Sequence, residues 1–371
     1  MPEKPLRLLG IGDGRSIIFL RWAWRLAERG HEVHIASDRV SDRPGELDGI
    51  TAHDVRELGL ATRVRGVRRF VWGPVLGRLA RHLEVDLVHA HYLLPYGWWA
   101  AWADVHPLVM SPWNTDIFTY GRERARGRKL VRRAIAAGDE FVVSSLANAE
   151  ETVRLGAPPE RVHRIVWYVD PRPFGSERRR PGLAARLGWP PDSLVVLSLR
   201  NYRPNTNLDM LVRAFARAQH EVPRARLVLA ARGGWTRAET DALVDELGLR
   251  DRVVQTFAAP NELPELCASA DLGVSLASTD ATPASMIESM ASGLPMVMGD
   301  ALTIDEWIVQ GEGGEVVPCR DEDAVTAALL RLLRDADLRR AYGERNERVV
   351  RERLGDPGEQ LERLYLEILG R

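Results

Sequence analysis

The stretch SLASTDATPASMIESMASGLPMVMGD, residues 275–300, contains the signals that decide the fold of the second half of the chain. It holds a polar loop, a helix start, a glycine stop and an apolar strand. Thr282 is typical of an N-cap and Pro283 of a first helical residue, where a missing N–H costs nothing. Gly293 is a typical helix stop. A helix that runs directly into an apolar strand is typical of a parallel α/β domain.

Two carboxylates and a serine-rich face make the same segment a candidate ligand site. Asp280 and Glu288 lie eight residues apart, one before the predicted helix and one on it. At about 100° per residue the helix divides into two faces. The polar face carries Ser285, Glu288, Ser289 and Ser292, and the apolar face carries Met286, Ile287, Met290 and Ala291. The alternative is an ordinary capped helix with a solvated polar face.

The chemistry of these groups predicts the ligand class. Free N–H groups at a helix start suit a phosphate, and carboxylates accept hydrogen bonds from sugar or ribose hydroxyls. The combination therefore predicts a nucleotide-sugar site. Its predicted contacts are Thr282, Pro283, Ala284, Ser285, Met286 and Glu288.

Length and charge favour a two-domain globular protein. At 371 residues the chain is too long for one typical core. Its net charge of −1 is unevenly placed, with roughly +5 up to residue 174 and roughly −6 after it. The first half therefore favours an acidic partner such as anionic lipid or a phosphorylated acceptor, and a solvated basic face is the alternative. Nearly all basic residues are arginine, with Lys4 and Lys129 as the exceptions. We attribute this excess of arginine to the base composition of the genome in preference to function.

Cysteine usage and hydropathy indicate the cellular setting. Cys267 and Cys319 have neither the spacing of a disulfide framework nor that of a metal site, so we expect a reducing cytoplasm. No apolar run approaches the roughly 18 residues of a membrane-spanning helix, and no signal peptide precedes the first strand. The stretches 61–79 and 121–138 mix arginine with apolar residues in helical order. Peripheral contact with the inner membrane face is therefore an open alternative.

The N-terminal half begins with a strand, loop, helix and strand of parallel-sheet type, predicted over 6–11, 16–29 and 33–36. Further strands are predicted over 49–55, 87–91, 107–111, 140–144 and 162–166, with helices over 75–83 and 148–155.

The first loop contains three glycines, Gly10, Gly12 and Gly14. They favour a dinucleotide-binding interpretation, with Asp38 as the ribose-binding acid. Because Arg15 occupies the third glycine position of that motif, a nicotinamide enzyme is the weaker interpretation.

Histidines and tryptophans form two further patterns in this half. His89 and His91 alternate on a strand without a third ligand at suitable spacing, which favours packing or polar lining over a metal site. Trp98, Trp99 and Trp102 favour a core cluster, and stacking on a sugar or an apolar acceptor is the alternative.

The C-terminal half alternates regularly between strands and helices, which predicts a doubly wound parallel domain. Strands are predicted over 194–200, 226–231, 253–257 and 272–276, and helices over 207–221, 237–247, 262–268 and 358–369.

Asp280, Glu288 and the following SMASGLPMV resemble the donor-site signature of the family-4 retaining glycosyltransferases, E-x7-E followed by A-M-A-x-G-x-P-V. Asp280 stands at the first Glu and is one methylene shorter. The segment SLRNYRPNTNL resembles the family's G-R-L-x-x-x-K-G, with Arg200 at the Arg. At the Lys stands Asn205, Thr206 or Asn207, depending on register.

Three weaker matches extend this resemblance over nearly the whole chain. SPWNTDIF is similar to the family's S-x-W-G-S-D-I and places Asp116 at its aspartate. VLAARGG resembles V-I-A-G-D-G, with Arg232 at the acid. The segment 315–342 is similar to the family's closing G-L-L-V-x-x-x-D-x-x-A-L pattern.

The resemblance implies the α/β class and the GT-B fold: two Rossmann-like, doubly wound parallel-sheet domains facing across a cleft. The acceptor-side domain is placed at 1–174 and the nucleotide-sugar-binding domain at 175–350. A C-terminal helix, 351–371, is expected to pack back on the first domain.

The resemblance also implies an enzyme that moves a sugar from a nucleoside-diphosphate sugar to an acceptor hydroxyl with retained configuration, without a bound metal or other cofactor. Arg200 would neutralise the leaving diphosphate, Asp280 would hold sugar hydroxyls, and Glu288 would bind the ribose. Asp116 would position the acceptor or aid removal of its proton. Gly14, Arg15 and Asn207 complete the predicted donor contacts, with Arg15 or Arg203 compensating for the absent lysine.

The acceptor class and two alternative functions stay open. The acceptor is a small molecule, a lipid-linked compound or a glycan, and we expect no nucleic-acid partner. The absent lysine and the shortened acid leave open a nucleotide-sugar-binding protein with impaired catalysis. A sugar-nucleotide epimerase of the same fold is the other alternative.

Overall fold

The computed structural model describes residues 5–43, 45–58, 68–121, 125–180, 182–231, 233–259, 261–280, 282–301 and 303–371. Arg232 and the 61–67 part of the first arginine-rich stretch lie outside the described residues, as do residues 122–124 of the second. The chain divides into two units. Unit 1 comprises Met1–Val169 with Asp356–Arg371, and unit 2 comprises Asp170–Gly355.

Unit 1 is built on a parallel sheet of seven strands in the order β3-β2-β1-β4-β5-β6-β7. The strands are β1 Arg7–Ile11, β2 Glu32–Ser37, β3 Thr51–Asp54, β4 Leu87–His91, β5 Leu108–Ser111, β6 Glu140–Val143 and β7 Val162–Arg164. The helices are α1 Ile17–Glu28, α2 Arg68–His82, α3 Trp98–Ala103, α4 Ala125–Ile135 and α5 Leu146–Leu155. The central strands are continuously buried, as expected for a sheet covered on both faces.

Unit 2 repeats this plan with the strand order β10-β9-β8-β11-β12-β14-β13. The strands are β8 Leu194–Ser198, β9 Ala225–Ala230, β10 Val253–Thr256, β11 Leu272–Ser275, β12 Met296–Gly299, β13 Val309–Gln310 and β14 Gly313–Val317. The helices are α6 Leu183–Arg186, α7 Leu208–Glu221, α8 Arg237–Glu246, α9 Leu263–Ser269, α10 Ala284–Ala291, α11 Glu322–Arg334 and α12 Ala336–Leu354.

Each sheet reverses its strand order once. In unit 1 the chain adds β2 and β3 on one side of β1 and then places β4 on the other side. In unit 2 the same reversal occurs between β8 and β11. In open parallel sheets, ligands bind at this reversal, beyond the carboxyl ends of the two strands.

The last helix, α13 Pro357–Ile368, belongs to unit 1 and packs on α1. Asp356 caps it by accepting hydrogen bonds from the amides of Gly358 and Glu359, at 2.8 and 3.2 Å. The buried Tyr365 hydroxyl accepts from Trp22 Nε1 at 2.7 Å and lies 2.5 Å from His89 Nδ1. The final helix therefore completes the core of the unit in which the chain begins.

The predicted strands and helices are found with end shifts of a few residues. The helix predicted over 75–83 begins earlier, at Arg68, and includes Pro74. Within the described ranges, no helix is both long and apolar enough to cross a membrane.

Close packing of α12 positions α10. Gly343 of α12 lies against the backbone carbonyl of Gly293, where a Cβ atom would fall inside van der Waals contact. Three residues later, Asn346 Nδ2 donates to the carbonyls of Leu294 and Gly313, at 2.8 and 2.7 Å. The loop that ends α10 is therefore fixed against α12.

Gly343→Ala tests this contact. Helix propensity alone would stabilise the variant by about 1 kcal/mol, but the added methyl must displace a backbone carbonyl. We expect the free energy of unfolding to fall by about 1–3 kcal/mol, measured by urea denaturation followed by circular dichroism. Glu344→Ala, at the next and exposed position of α12, is the control and should stay within about 0.5 kcal/mol of wild type. A Gly343→Ala protein more stable than wild type would contradict the packing argument.

Candidate functional site

Two predicted site residues flank the strand-order reversal of unit 2. Arg200 lies two residues beyond the end of β8, and Asp280 lies five residues beyond the end of β11. Arg200 Nη2 donates to Asp280 Oδ2 at 2.6 Å, and Arg200 Nη1 donates to Ser285 Oγ at 3.3 Å. The side chains of Arg200 and Asp280 are only 15% and 20% exposed. The structure thus brings Arg200, Asp280 and the first turn of α10 together.

The guanidinium group of Arg200 includes one buried donor without an acceptor among the described residues. Its Nε is buried and makes no hydrogen bond with any residue that the structure describes. A buried donor without an acceptor costs about 1–3 kcal/mol.

The start of α10 differs by one residue from the predicted cap. Pro283, and not Thr282, occupies the N-cap position, because its ψ of 121° keeps it extended and the helix begins at Ala284. The Met286 amide, predicted to be free, donates to the Pro283 carbonyl at 3.1 Å. Over the described ranges, the Ala284 and Ser285 amides have no backbone acceptor. These two amides face outward from the helix start as an anion site requires.

The serine-rich face of α10 is buried and not solvated. Glu288, Ser289 and Ser292 are 4%, 3% and 2% exposed, so the alternative of a solvated face is excluded. On the neighbouring α9, burial raises the pKa of the Cys267 thiol, and the nearby Glu288 carboxylate raises it further. Glu288 is therefore an acid held inside unit 2, one turn along α10 from Ser285.

The loop after β8 indicates which residue stands at the family's lysine. Asn207 adopts a left-handed conformation with φ of 50°, which the Gly of the K-G pair would take without strain. This conformation favours the register in which Thr206 stands at the lysine. Its hydroxyl is buried and donates to the carbonyls of Asn201 and Arg203, at 2.9 and 2.7 Å. Thr206 is therefore a neutral side chain that closes its own loop.

The side chain of Asn207 joins the loops after β8 and β11. Asn207 Nδ2 donates to the Leu276 carbonyl at 2.6 Å and to Ser278 Oγ at 2.8 Å. Arg320 Nη1 donates to Asn207 Oδ1 at 3.0 Å. Because its amide atoms are engaged within unit 2, this geometry favours a positioning role for Asn207, and its predicted donor contact stays a prediction.

Arg320 was not predicted as a site residue. It follows β14 and is exposed, and its hydrogen bond to Asn207 brings a second cation to the edge that carries Arg200. The only signal in the sequence was its position just before the Asp321 helix start, which gives no indication of where a long side chain reaches.

In unit 1, Asp116 is fully buried and binds backbone amides. Its carboxylate accepts from Leu93 N at 2.8 Å, Asn114 N at 2.9 Å and Trp113 N at 3.1 Å. Burial raises the pKa of Asp116 to about 6, and these backbone hydrogen bonds oppose the rise. Leu93 follows Tyr92, whose φ of 73° is unfavourable for a residue with a side chain. This geometry favours Asp116 as a residue that holds the β4 and β5 loops in place, and its predicted contact with an acceptor stays a prediction.

All three glycines at the end of β1 and in the following loop are closely packed. A Cβ on Gly10 would overlap the Trp22 ring, one on Gly12 would meet the Phe19 ring, and one on Gly14 would lie 2.9 Å from the Arg39 carbonyl oxygen. The Gly14 amide donates to Ser37 Oγ at 2.9 Å. Arg15 is about half exposed, with Nη2 3.8 Å from Asp42 Oδ2. The donor contacts predicted for Gly14 and Arg15 stay predictions.

The two strand histidines are buried, as the packing interpretation requires. His89 Nε2 lies 2.8 Å from Ser111 Oγ, and burial lowers the pKa of His89 to about 3. His91 ends β4, its pKa is also lowered by burial, and neither ring nitrogen has a hydrogen-bond partner in the described part of the chain. Both imidazoles are therefore neutral at pH 7. Among the described residues, no cluster of three or more His, Cys, Asp or Glu could hold a metal ion.

The tryptophan cluster is only partly core. Trp99 is buried and meets Trp72 edge to face, with ring centroids 4.1 Å apart. Trp102 is 45% exposed. The prediction of a core cluster therefore holds for Trp99 but not for Trp102.

Comparison with protein families gives two matches that together span most of the chain. The model of glycosyl transferases group 1 matches residues 180–349, and the model of glycosyltransferase family 4 matches residues 13–172. A D-inositol 3-phosphate glycosyltransferase of Kineococcus radiotolerans is 30% identical, over 92% of this chain and 88% of its own. The N-acetyl-alpha-D-glucosaminyl L-malate synthase of Bacillus anthracis is 25% identical, over 96% of this chain and 94% of its own.

Solved structures show the same fold. Anabaena HepE, solved with UDP and glucose, superposes with a TM-score of 0.81 over 98% of this chain and 100% of its own, at 16% identity. The lipopolysaccharide glycosyltransferase WaaG superposes with a TM-score of 0.74 over 98% and 100%, at 18% identity. The matched families exclude the nicotinamide-enzyme interpretation of the first loop. The chain belongs to the family-4 glycosyltransferases and has their GT-B fold.

Proposed function

We propose that this glycosyltransferase takes its sugar from a nucleoside-diphosphate sugar and transfers it to an acceptor hydroxyl with retained configuration. The observation that carries the proposal is the position of Arg200, which Asp280 and Ser285 hold at the start of α10. Beside it lie two amides without backbone acceptors in the described ranges. A fixed cation and aligned amides suit the charge of a departing diphosphate.

Arg200 can bind an anion without leaving Asp280. Its Nη2 and Nη1 reach Asp280 and Ser285, while its buried Nε has no hydrogen bond among the described residues. A diphosphate oxygen would accept from the Nη hydrogens that these two contacts leave over, while Asp280 continues to fix the plane of the guanidinium group. Asp280 is one methylene shorter than the family's Glu, but its carboxylate already reaches Arg200. Its length is therefore compatible with a role in the donor site. Its contact with sugar hydroxyls remains part of the proposal.

Arg320 supplies the positive charge that the family's lysine would bring. Thr206 stands at the lysine position with its hydroxyl turned into its own loop. Arg320 reaches the same edge of the sheet through Asn207. In this proposal Arg200, Arg320 and the two amides balance the negative charge of the diphosphate, and no resident metal ion or cofactor takes part. Glu288 binds the ribose hydroxyls.

Transfer breaks the bond between the anomeric carbon and the diphosphate oxygen, and the electron pair stays on the diphosphate. The acceptor oxygen bonds to the anomeric carbon on the face that the diphosphate leaves, which retains configuration. The acceptor proton passes to the departing phosphate oxygen. Donors aimed at the leaving group stabilise this transition state, because the negative charge on the diphosphate grows as the bond breaks.

The relatives support the donor and acceptor classes. HepE has been solved with UDP-glucose, and two relatives are an N-acetyl-alpha-D-glucosaminyl L-malate synthase and a D-inositol 3-phosphate glycosyltransferase. We infer a uridine-type or related nucleotide sugar as donor and a small hydroxyl compound with an acidic group as acceptor. Arg200, Asp280 and Glu288 are all present, and this favours turnover over a binding protein that has lost catalysis.

The donor class is tested with a panel of nucleotide sugars, each incubated with the protein and small hydroxyl acids while nucleoside diphosphate release is measured. One donor should give release that depends on acceptor. Arg200→Ala should lower that turnover by about 10²–10³-fold with the fold retained by circular dichroism. Arg213→Ala, an exposed arginine on α7, is the charge-matched control and should turn over as wild type does. Equal rates for wild type and Arg200→Ala would remove Arg200 from the site.

Arg320→Gln tests the second cation. Removing a charge-assisted hydrogen bond of about 1.5–3 kcal/mol should weaken binding of the nucleoside diphosphate by about 10–100-fold. The affinity for the unphosphorylated nucleoside should not change. Titration calorimetry with both ligands separates the two effects, and Arg348→Gln on exposed α12 is the control. An equal loss for nucleoside and nucleoside diphosphate would show that Arg320 supports the loop and does not contact phosphate.

Asp116→Asn separates the positioning role from a direct catalytic one. The side-chain nitrogen of the new Asn cannot accept hydrogen bonds from the backbone amides. Each buried N–H group that loses its acceptor costs about 1–3 kcal/mol. We expect the free energy of unfolding to fall by about 3 kcal/mol in urea denaturation. Asp104→Asn, at an exposed side chain of the same unit, should change it by less than about 0.5 kcal/mol. Wild-type stability combined with lost turnover would instead assign the carboxylate to the reaction.

A further inference from the structure

Two histidines of unit 1 direct a ring nitrogen at each other. His34 lies on β2 and His53 on β3, the strand at the edge of the sheet. His34 Nδ1 lies 3.1 Å from His53 Nε2, and the ring centroids are 5.3 Å apart. His34 is 6% exposed and His53 is half-buried, so solvent reaches the pair at His53.

The register of the two strands produces this pair. In the parallel pairing of β2 with β3, His34 is opposite Thr51 and Ala36 is opposite His53. Residues two apart on a strand lie on the same face of the sheet. The two imidazoles therefore lie on one face, offset by two residues along the strands.

Glu32 orients the ring of His34. His34 Nε2 lies 3.0 Å from Glu32 Oε1, and Arg7 Nε donates to Glu32 Oε2 at 2.9 Å. Because a carboxylate only accepts hydrogen bonds, the neutral imidazole of His34 carries its hydrogen on Nε2. Its Nδ1 then presents a lone pair to His53. Metal-binding histidines usually give their other N–H to a carboxylate in this way.

The distance between the two nitrogens suits a shared ion. Two nitrogens at roughly 2.0–2.1 Å from a zinc ion lie about 3.3 Å apart in a tetrahedral site, and about 2.9 Å apart at neighbouring corners of a square or octahedral site. The observed separation of 3.1 Å lies between these values. For a direct hydrogen bond, His53 Nε2 must carry the hydrogen. An ion would take the place of this hydrogen and leave His53 with its proton on Nδ1.

The pair His89 and His91, by contrast, cannot share an ion. Their rings stack with centroids 4.2 Å apart and an angle of 23° between the planes. The nitrogens of His89 lie beside the hydroxyls of Tyr365 and Ser111. Lone pairs of imidazole lie in the plane of the ring, so stacked rings direct them past each other. Of these two pairs, His34 and His53 alone have nitrogens that face each other.

We propose that His34 Nδ1 and His53 Nε2 bind a divalent transition-metal ion of the zinc, nickel or copper class. Imidazole nitrogen suits these ions, whereas Mg²⁺ and Ca²⁺ prefer oxygen ligands. Among the described residues no third His, Cys, Asp or Glu joins the pair, so water completes the coordination and the ion stays exchangeable. The ion ties the edge strand β3 to β2. The site belongs to unit 1 and does not rest on the proposed function.

The test titrates Zn²⁺ into the full chain by calorimetry in a buffer that does not chelate, with Mg²⁺ as the comparison. His53→Asn removes one ligand, and Glu32→Gln keeps both ligands but removes the charge beside His34. His106→Asn is the matched control, because His106 is 53% exposed and its Nδ1 lies 2.6 Å from Asp139 Oδ2. Melting curves without added metal show whether each variant is folded.

We expect wild type to bind one Zn²⁺ per chain at least tenfold more tightly than Mg²⁺. His53→Asn should abolish this binding, and Glu32→Gln should weaken it about tenfold, since a neutral amide no longer raises the basicity of the His34 ring. His106→Asn should stay within twofold of wild type. Zn²⁺ should raise the melting temperature of wild type but not that of His53→Asn.

A copper spectrum distinguishes ligation from a structural role of the two histidines. With half an equivalent of Cu²⁺, electron paramagnetic resonance should show coupling to two imidazole nitrogens in wild type and in His106→Asn, and to fewer in His53→Asn. The wild-type spectrum decides the question even where His53→Asn does not fold.

Three results would overturn the proposal: Zn²⁺ binding to wild type no more tightly than Mg²⁺, equal losses in His53→Asn and His106→Asn, or a wild-type copper spectrum without two imidazole nitrogens. Each would leave His34 and His53 as a hydrogen-bonded pair of imidazoles that only joins two strands.

Discussion

The hydrogen-bonded ion pair between Arg200 and Asp280 is the contact on which the candidate site of unit 2 depends. It joins the loops that follow β8 and β11, the two strands between which the sheet reverses its order. Neither loop belongs to a regular element at this point, so the ion pair fixes their relative position together with the hydrogen bonds that Asn207 makes to Leu276 and Ser278. Ser285 adds the start of α10 to the same pair. The pair is largely buried, and in such an environment electrostatic interactions are stronger than in water.

Most of the fold follows from local sequence patterns. Short apolar runs such as LVHAH and LVVLS are typical of strands buried on both faces, and their alternation with helices leads to a parallel sheet. Other features were harder to predict. Helix α12 was not predicted from its pattern, because its many charges conceal the few residues that pack inward. Pro74 favours a helix start near residue 75, yet α2 begins at Arg68 and continues through it.

For the candidate site, the sequence indicated which residues to consider but few of the contacts that they make. The spacing of Asp280 and Glu288 drew attention to the segment that the structure places against Arg200, and its cap, helix and strand signals are local. Sequence could not show that Glu288 would be buried, since the solvent exposure of a serine-rich face depends on α9 and α12. Arg320 lies 113 residues from Asn207, its partner, and no local pattern carries that information. For Asp116 the reverse applies: the residue type allowed a catalytic role, whereas the structure surrounds its carboxylate with backbone donors.

The discontinuity of unit 1 has a consequence for biosynthesis. Tyr365, which closes the hydrogen-bond chain through Trp22 and His89, is separated from them by 343 and 276 residues. During translation the first sheet therefore emerges long before the helix that covers α1, and its core stays incomplete until Pro357–Ile368 has been synthesised. Unit 2 is continuous in sequence and has no such delay. The second half of the protein can thus reach its native packing while the first half still lacks its last helix.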